Sequence, residues 1–343
     1  MLQKKVPVNC VGIDLADRTF VATILRPKTR CIATSGSFTR NADGLRGFLQ
    51  WLRLHNVTVR STVIAMETTG VLSQLVCDRL SSAGFQVTVI DAARIARTRR
   101  PSQPKSDGAD SLLIADYLAR HFDTIKTWQP LPPILAELDA LMSFRELRVK
   151  MRTQVKNQGK ARGKALLIPK GLIERDEILI NLYTQDIKSI EREIRRLIKE
   201  DQRLYRMLQC LDSVPGVDLL LAANLLIATR GEVKNFNRRS LANYLGICPH
   251  EHSSGTSVRK KPRSSRLGSP RIRKLLNLAA RTLVGHFAEF KAYYAQKLHE
   301  GKPKMLAINN LGNKLVAIMC AVIQNDTVYI KHYKPSPPAL VGS

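Results

Sequence analysis

The sequence predicts an α/β domain at the N-terminus followed by a mainly helical C-terminal part. Three observations support this fold class. Strand-like runs alternate with helical patterns in the first third of the chain, the proline-rich stretch QPLPPI spans residues 129–134, and helical periodicity dominates beyond it. A chain of 343 residues with 44% hydrophobic content is long enough for two or three domains. We expect an N-terminal domain over residues 1–130, a helical coiled-coil arm over 131–206, a second domain over 207–330 and a tail over 331–343.

The N-terminal elements follow a specific order. Residues 6–39 contain three strand-like runs separated by polar and Gly/Pro breaks, and a helix capped by Asn41 follows them. Two further strands, STVIAME and QVTVIDA, are separated by a helix that ends at Gly84, and another helix begins near Asp107. Three strands, helix, strand, helix, strand, helix is the order of the ribonuclease H-like fold, although other α/β folds share it.

Two long helices are predicted after the proline-rich boundary. The first is basic and spans residues 136–166, and the second spans 176–208 after a break at IPKG. The second helix has a coiled-coil seam, interrupted by Asp201, whose residues are Tyr183, Ile187, Ile190, Ile194, Leu197, Leu204 and Leu208. This pattern predicts an antiparallel arm, used either for dimerisation or as a hairpin packed on its own domain.

The C-terminal part is predicted to be mainly α-helical. In residues 211–231 a Pro-Gly turn leads into an apolar helix, which resembles a helix-hairpin-helix whose turn amides face a DNA phosphate. A purely structural turn is the alternative. A further helix, a polar loop, a basic linker and a helix from about residue 270 follow.

The charge of the chain predicts a nucleic-acid partner. The 55 Lys and Arg exceed the 28 Asp and Glu, for a formal net charge of +27, and residues 202–343 carry +15 of it. A membrane surface is the weaker alternative. Half of the residues from 259 to 274 are basic, which suits phosphate contact, although a solvated basic face has the same composition. The candidate nucleic-acid-binding residues are Arg259, Lys260, Lys261, Arg263, Arg266, Arg271, Arg273 and Lys274.

Targeting and redox features indicate a cytoplasmic protein. The sequence has no apolar run of the roughly 18 residues that a membrane-spanning helix requires, and its N-terminus lacks the apolar core of a signal peptide. The six cysteines are scattered without a C-x-x-C pair, which predicts reduced packing residues and no zinc site or disulfide framework.

Four carboxylates are candidates for a metal site. Asp14 lies in the first strand, Glu67 ends STVIAME, and Asp107 and Asp110 share a helix face three residues apart. Such a cluster requires a divalent cation to offset its repulsion, and oxygen ligands favour Mg²⁺ or Mn²⁺. For Asp107 and Asp110 alone, favourable interaction with the helix dipole is the simpler explanation. Asp116 is an alternative fourth ligand.

The stretch HEHSSGTSVRKKPR, residues 250–263, places two serines ahead of the basic run. Local composition favours a polar loop. The alternative is a hydroxyl nucleophile held where phosphate binds. His250 and His252 are close enough in sequence to act as acid, base or phosphate contacts, but loop histidines more often have no catalytic role.

Six motifs together resemble a known family. In this order and spacing, GIDLAD, AMETTG, KSDGADSLLIADYL, SVPGV, LANYLGICP and SSGTSVRKKPRSSRLGSPRIRKLL resemble the insertion-sequence 110 family of DEDD transposases, which includes the Piv-type DNA invertases. The resemblance covers nearly the whole chain. It implies a RuvC-like N-terminal domain, and a transposase domain after the arm.

The resemblance implies a mechanism as well as a fold. In the family, four acids bind Mg²⁺ and a serine of the second domain forms a phosphoserine link to cleaved DNA. The acids correspond to Asp14, Glu67, Asp107 and Asp110, and the serine to Ser254, with Ser253 as the neighbouring alternative. The chain departs from the family pattern in three motifs, at Asp17, at Ser111 and in PGVD (residues 215–218) where the family has PGIG, and none of these residues is a proposed ligand or nucleophile.

The partners implied are donor DNA, target DNA, a structured bridge RNA and further copies of the chain, as a homodimer or homotetramer in the bacterial cytoplasm at the nucleoid. We expect Mg²⁺ at the acids to activate Ser254 and polarise the phosphate, while Arg259, Lys260 and Lys261 stabilise the developing charge. Three alternatives are a RuvC-like endonuclease, an invertase without an RNA guide, and a non-catalytic nucleic-acid-binding protein.

Overall fold

The computed structural model describes residues 7–29, 31–68, 71–99, 106–164, 169–254, 258–264 and 268–331. For residues 71–72, 170, 249–254 and 258–263 it describes the backbone alone. The chain divides into two compact units, one ending at Pro130 and the other beginning at Leu131.

The described residues of the first unit form a five-stranded mixed sheet and four α-helices. The strands are β1 (Asn9–Leu15), β2 (Thr19–Arg26), β3 (Cys31–Thr39), β4 (Thr62–Glu67) and β5 (Gln86–Ile90). The helices are α1 (Ala42–Leu54), α2 (Val71–Ser82), α3 (Ala92–Ala96) and α4 (Asp107–His121). The strand order is β3-β2-β1-β4-β5, with β1, β2 and β3 antiparallel and with β4 parallel to both β1 and β5. The predicted α/β N-terminal part is confirmed, and the short helix α3 is an addition to it.

Successive side chains of β1 lie on opposite faces of the sheet. Val11 and Ile13 face the core that α1 and α2 cover, whereas Cys10 belongs to the core under α4. Gly12 lies on the α4 face as well, since a Cβ at that position would lie 2.1 Å from the Ser111 carbonyl oxygen. Glycine therefore permits the close approach of α4 to β1.

The second unit is mainly helical, as the sequence predicts. Its helices are α5 (Pro133–Arg162), α6 (Lys170–Glu200), α7 (Gln202–Asp212), α8 (Leu219–Ala228), α9 (Arg238–Tyr244), α10 (Pro270–His286), α11 (Ala288–His299) and α12 (Lys304–Gln324). Leu135 and Leu138 of α5 and Ile194 of α6 join the same buried core as α7 to α12. The start of α5 and the end of α6, which lie together at one end of the α5–α6 hairpin, are thus part of the core of this unit.

The prediction of one continuous helix over 176–208 is wrong. The chain breaks at Asp201, which has an extended backbone and whose side chain accepts a hydrogen bond from the Leu204 amide at 2.9 Å. The carboxylate caps α7, and this local hydrogen bond competes with continued helix. Leu204 and Leu208 consequently belong to α7 and to the core of the unit, not to the seam of α6.

Residues 249–264 correct another prediction. The sequence predicts a polar loop and a basic linker, but the chain forms an antiparallel hairpin of β6 (Pro249–Ser254) and β7 (Val258–Ser264). Ser254 lies opposite Val258 and Ser253 opposite Arg259, with an irregularity between His250 and His252. Neither strand has the apolar alternation by which a half-buried strand is recognised from sequence.

Helix α12 is long and apolar enough to cross a membrane by length and composition, a property that the sequence analysis did not identify. More than half of its apolar window is buried inside the protein. Leu311, Leu315 and Met319 are fully buried in the core of the second unit. These contacts are those of the core helix of a globular domain.

Four of the six cysteines are packing residues, as predicted. Cys10, Cys77, Cys210 and Cys320 are buried and pack as small apolar side chains, whereas Cys31 is exposed and Cys248 is half-buried.

Candidate active site

Asp14 and Glu67 lie at the same end and on the same face of the sheet. Strands β1 and β4 are parallel and pair Ile13 with Met66, so that the next residues, Asp14 and Glu67, are at the same level. Cys10 and Ala65 mark the α4 face, and Asp14 and Glu67 have the same strand parity as these two residues. Their carboxylates are therefore presented where helix α4 begins.

Asp107 and Asp110 lie in the first turn of α4. Ser106 starts the helix, with its hydroxyl accepting from the Ala109 amide at 3.3 Å and its carbonyl accepting from the Asp110 amide at 2.8 Å. The hydroxyl of Ser111 is buried and lies 2.7 Å from that of Thr23 on β2. Together with the close contact at Gly12, this fixes the start of α4 over the sheet.

The four carboxylates are close enough to act on one another. Burial raises the pKa of Asp14 to about 6, the charges of Asp110, Asp107 and Glu67 add to the increase, and the Leu15 amide opposes it. Burial also raises the pKa of Glu67, and the charges of Asp110 and Asp91 raise it further. The structure therefore brings the four acids singled out from the sequence into one electrostatic cluster, hereafter the acid cluster.

Two residues at this cluster were missed by the sequence analysis. Asp91 directly follows β5 and caps α3, accepting from the Ala93 amide at 2.8 Å. Arg99, just beyond α3, forms an ion pair with Asp110. An acid directly after a buried strand is the same signal that identified Glu67, so Asp91 was recognisable. Nothing in the sequence predicts the partner of Arg99.

Asp116, the alternative fourth ligand, lies further along α4. Its carboxylate pairs with Arg120, and the acids that shift the pKa of Asp14 are the other three members of the cluster. Asp116 therefore has a local helix-stabilising partner.

The acid cluster has the donors of a divalent-cation site. Carboxylate oxygens are the ligands that Mg²⁺ and Mn²⁺ prefer, and mutual repulsion favours a cation among them. In the described part of the chain, no three His, Cys, Asp or Glu side chains are arranged so that they could hold a metal ion. Coordination of a metal ion by these acids would therefore require rotation of their side chains.

The candidate nucleophiles lie in the β6–β7 hairpin of the other unit. Ser254 is the last residue of β6, and Gly255 to Ser257 lie outside the described residues. Of the candidate nucleic-acid contacts, four lie in β7, namely Arg259, Lys260, Lys261 and Arg263. Arg266 lies outside the described residues.

The remaining candidate contacts lie at the start of α10, where two are engaged within the protein. Arg271 donates to Asp139 at 3.2 Å, to Glu146 at 3.1 Å and to Ser143 at 3.0 Å, all on α5. Arg273 donates to the Gly268 carbonyl. Lys274 is exposed. Arg271 thus joins α10 to α5, a role that the sequence analysis did not anticipate when it included this residue among the nucleic-acid contacts.

The turn between α7 and α8 packs inside its own unit. Gly216 has φ +79°, and a Cβ there would lie 2.9 Å from the Leu283 side chain of α10. Asp218, where the family pattern has glycine, caps α8 by accepting from the Leu221 amide at 2.8 Å. These contacts favour the structural alternative over a phosphate-binding turn, because a carboxylate already occupies this helix start.

Two transposase family models match the chain. A DEDD transposase model of the IS110 type matches residues 11–162, and a model described as "Transposase IS116/IS110/IS902 family" matches residues 208–295. Together they cover more than two thirds of the sequence. The first match contains the entire acid cluster, and the second contains the β6–β7 hairpin.

Two pilin gene-inverting proteins are similar along almost the whole chain, and a transposase is similar along part of it. The pilin gene-inverting protein of Moraxella bovis is 26% identical over 325 residues, which cover 94% of this chain and 97% of that protein. The pilin gene-inverting protein of Moraxella lacunata has the same identity and coverage. The transposase for insertion sequence element IS1111A of Coxiella burnetii is 29% identical over 170 residues, which cover 46% of this chain and 45% of that protein.

Proposed function

The chain belongs to the IS110 family of transposases and is an enzyme of DNA strand cleavage and joining, and we propose that it works through the acid cluster and a serine nucleophile. The observation that carries this proposal is the convergence of Asp14, Glu67, Asp107 and Asp110, in which burial, and then the charges of the other three acids, raise the pKa of Asp14. Such a cluster destabilises a fold, so its presence favours a functional role.

The first unit is proposed to be RuvC-like, that is, ribonuclease H-like. Three antiparallel strands followed by two parallel strands, in the order β3-β2-β1-β4-β5, support this assignment. The placement of two acids at the carboxyl ends of adjacent parallel strands is consistent with it.

Asp14, Glu67, Asp107 and Asp110 would hold Mg²⁺ or Mn²⁺. When bound, the ion would supply Lewis-acid polarisation of the scissile phosphate. Arg99 offsets part of the negative charge of the cluster while its carboxylates are free of metal. Asp14 is partly buried, and charge interactions are stronger there than in bulk water because the surroundings are less polar.

Ser254 is the proposed nucleophile. Its Oγ forms a bond to phosphorus while the phosphorus–oxygen bond to the departing strand end breaks; the hydroxyl proton is lost and the leaving oxygen takes up a proton. Arg259, Lys260, Lys261, Arg263, Arg266 and Lys274 are proposed to bind phosphate and to offset the charge that develops. Since the covalent intermediate keeps the energy of the phosphodiester, strands can be rejoined without ATP.

The proposed partners are donor and target DNA, a structured bridge RNA and further copies of the chain. The positive charge of the protein supports binding of both nucleic acids. Exposed apolar residues in the N-terminal half of α6, among them Ile178 and Leu182, support self-association through the arm. A bacterial cytoplasmic location at the nucleoid accords with a DNA substrate.

The test is a denaturing-gel assay for a covalent protein–DNA adduct with donor DNA, target DNA, the proposed bridge RNA and Mg²⁺. Wild type, Ser254→Ala, Ser253→Ala and Asp14→Ala are compared. We expect an adduct in wild type and Ser253→Ala, and none in Ser254→Ala or Asp14→Ala. Nicked DNA without adduct, still formed by Ser254→Ala, would instead establish the hydrolytic endonuclease.

Two further comparisons separate the remaining alternatives. Recombination that proceeds equally well without RNA would establish an unguided invertase. DNA binding without any cleavage, unchanged in Asp14→Ala, would establish a non-catalytic binding protein.

A further inference from the structure

A cleft of about 650 Å³ lies in the second unit. It is bounded by one face of α6, by Arg145 of α5 and by the first turn of α8. The apolar side chains of Leu219 and Leu220 form part of its lining. Its α8 lining, Asp218 to Leu220, lies within the stretch that resembles a helix-hairpin-helix, whereas no sequence motif singles out its α6 residues.

Three cations from one face of α6 line the cleft. Lys188, Arg192 and Arg195 are separated by four and three residues, so they share a helix face and span about 10 Å along it. All three side chains belong to exposed residues. This row is long enough to face consecutive phosphates, which repeat every 3.4 Å along the axis of one B-form strand.

The carboxylates at the cleft already have partners. Glu191 accepts from Arg145 Nε at 2.7 Å, and Asp218 accepts from the Leu221 amide at 2.8 Å. Asp212, behind Arg195, lies 3.6 Å from its guanidinium. Within the described residues, Lys188 and Arg192 form no ion pair. The cleft therefore retains two cations whose mutual repulsion an anionic ligand would relieve.

We propose that this cleft binds the sugar–phosphate backbone of a nucleic-acid strand, with Lys188 and Arg192 as the principal phosphate contacts and Arg195 as a third. Exposed cations bind a polyanion better than a small anion. A small anion gains little binding free energy from solvated side chains when no buried group holds it. A strand instead gains from counterion release at each contact. The proposal depends on the shown action on DNA and not on the serine mechanism.

The test measures binding of the full-length protein to a labelled random-sequence DNA duplex and, separately, to a labelled RNA hairpin, by fluorescence anisotropy from about 50 to about 200 mM salt. Lys188→Ala/Arg192→Ala is compared with Arg175→Ala/Arg196→Ala. The control pair removes the same charge from exposed positions of the same helix, outside the cleft.

We expect the cleft pair to weaken binding on the order of 10-fold or more near 0.1 M salt and to reduce the salt slope by about 1.8 for a duplex. The control pair should change affinity less than about threefold. The charge-conserving variant Lys188→Arg/Arg192→Lys should retain near-wild-type binding, which separates charge from altered folding.

The two probes identify the strand. A loss confined to DNA assigns the cleft to donor or target DNA, a loss confined to RNA assigns it to the guide, and a loss on both assigns it to backbone contact in general. Equal losses in the cleft and control pairs, or no loss on either probe, would overturn the proposal. Failure of the adduct assay would leave this result unaffected, since binding is measured without cleavage.

Discussion

The guanidinium of Arg99 pairs with the carboxylate of Asp110 inside the acid cluster. This contact places a positive charge beside four acids that converge from two strands and one helix. Both side chains are about a quarter exposed, so solvent screens the pair only in part. Arg99 is therefore a counter-charge for the cluster in the metal-free protein.

Arg99→Ala should lower the free energy of unfolding by about 1–2 kcal/mol without divalent cations, because Asp110 loses a charged hydrogen-bond partner. Urea denaturation measures the change. Arg120→Ala, which removes the exposed partner of Asp116 on the same helix, should cost only about 0.3–0.5 kcal/mol. Equal losses of unfolding free energy in the two variants would show that Arg99 stabilises the protein no more than an exposed helix ion pair does.

The raised pKa of Asp14 predicts a pH dependence of stability. Its folded pKa of about 6 exceeds the ordinary value of 3.8, so the folded state binds more protons between these values. Stability should therefore fall as pH rises from about 4 to about 6 and level off above. After allowance for the partly exposed carboxyl, the loss should be roughly 1–2 kcal/mol.

Asp14→Asn should remove this pH dependence and should stabilise the metal-free protein at neutral pH. Unfolding followed at several pH values measures both effects. Divalent cation should raise the Tm of wild type, since it relieves the same repulsion, and should raise the Tm of Asp14→Asn much less. If the stability of wild type and of Asp14→Asn changed equally between pH 4 and pH 6, the assignment would be contradicted.

Gly12→Ala should disrupt the seating of α4 on β1. The added Cβ would lie 2.1 Å from the Ser111 carbonyl oxygen and 2.4 Å from the Ala115 amide nitrogen. Backbone atoms cannot shift without straining the helix and the strand, so we expect the free energy of unfolding to fall by about 3 kcal/mol. We also expect a loss of DNA cleavage activity. Thermal unfolding measures the first effect. Gly47→Ala in α1, where a Cβ meets nothing within 4 Å, should be neutral or slightly stabilising.

Arg271→Ala should destabilise the second unit by about 1–3 kcal/mol, because it leaves Asp139 and Glu146 without this shared partner. Lys274→Ala, at an exposed position three residues away, should leave stability within about 0.5 kcal/mol and reduce the salt slope of DNA binding by about 0.9. Denaturation and anisotropy measured on both variants distinguish the structural residue from the phosphate contact. Unchanged stability in Arg271→Ala would refute the assignment.

Ile178→Glu/Leu182→Glu should convert an oligomer to a monomer in light scattering, because it places charge on an apolar face. These side chains are 65% and 56% exposed in the single chain, and they lie four residues apart on α6. Leu54→Glu, at a position 72% exposed on α1, is the matched control and should not change the mass. A monomeric wild type would refute self-association through the arm.

Local patterns in the sequence predicted most of the first unit. The strands and helices from Asn9 to His121 arise from short-range periodicity and caps, such as Asn41 accepting from the Gly44 amide at 2.8 Å. The hairpin at Pro249–Ser264 was missed because its strands have no apolar alternation. Asp201 was noticed as an irregular seam residue, but its capping of α7 was not predicted.

The sequence by itself determined the class of most elements, the excess of positive charge, and the four acids as candidates, because these depend on residue type and local spacing. Only the tertiary structure decided which charges meet. It paired Arg99 with Asp110 and committed Arg271 to α5, and it placed Lys188 and Arg192 in a cleft. Such pairings depend on contacts between residues far apart along the chain, and the same composition is compatible with many of them.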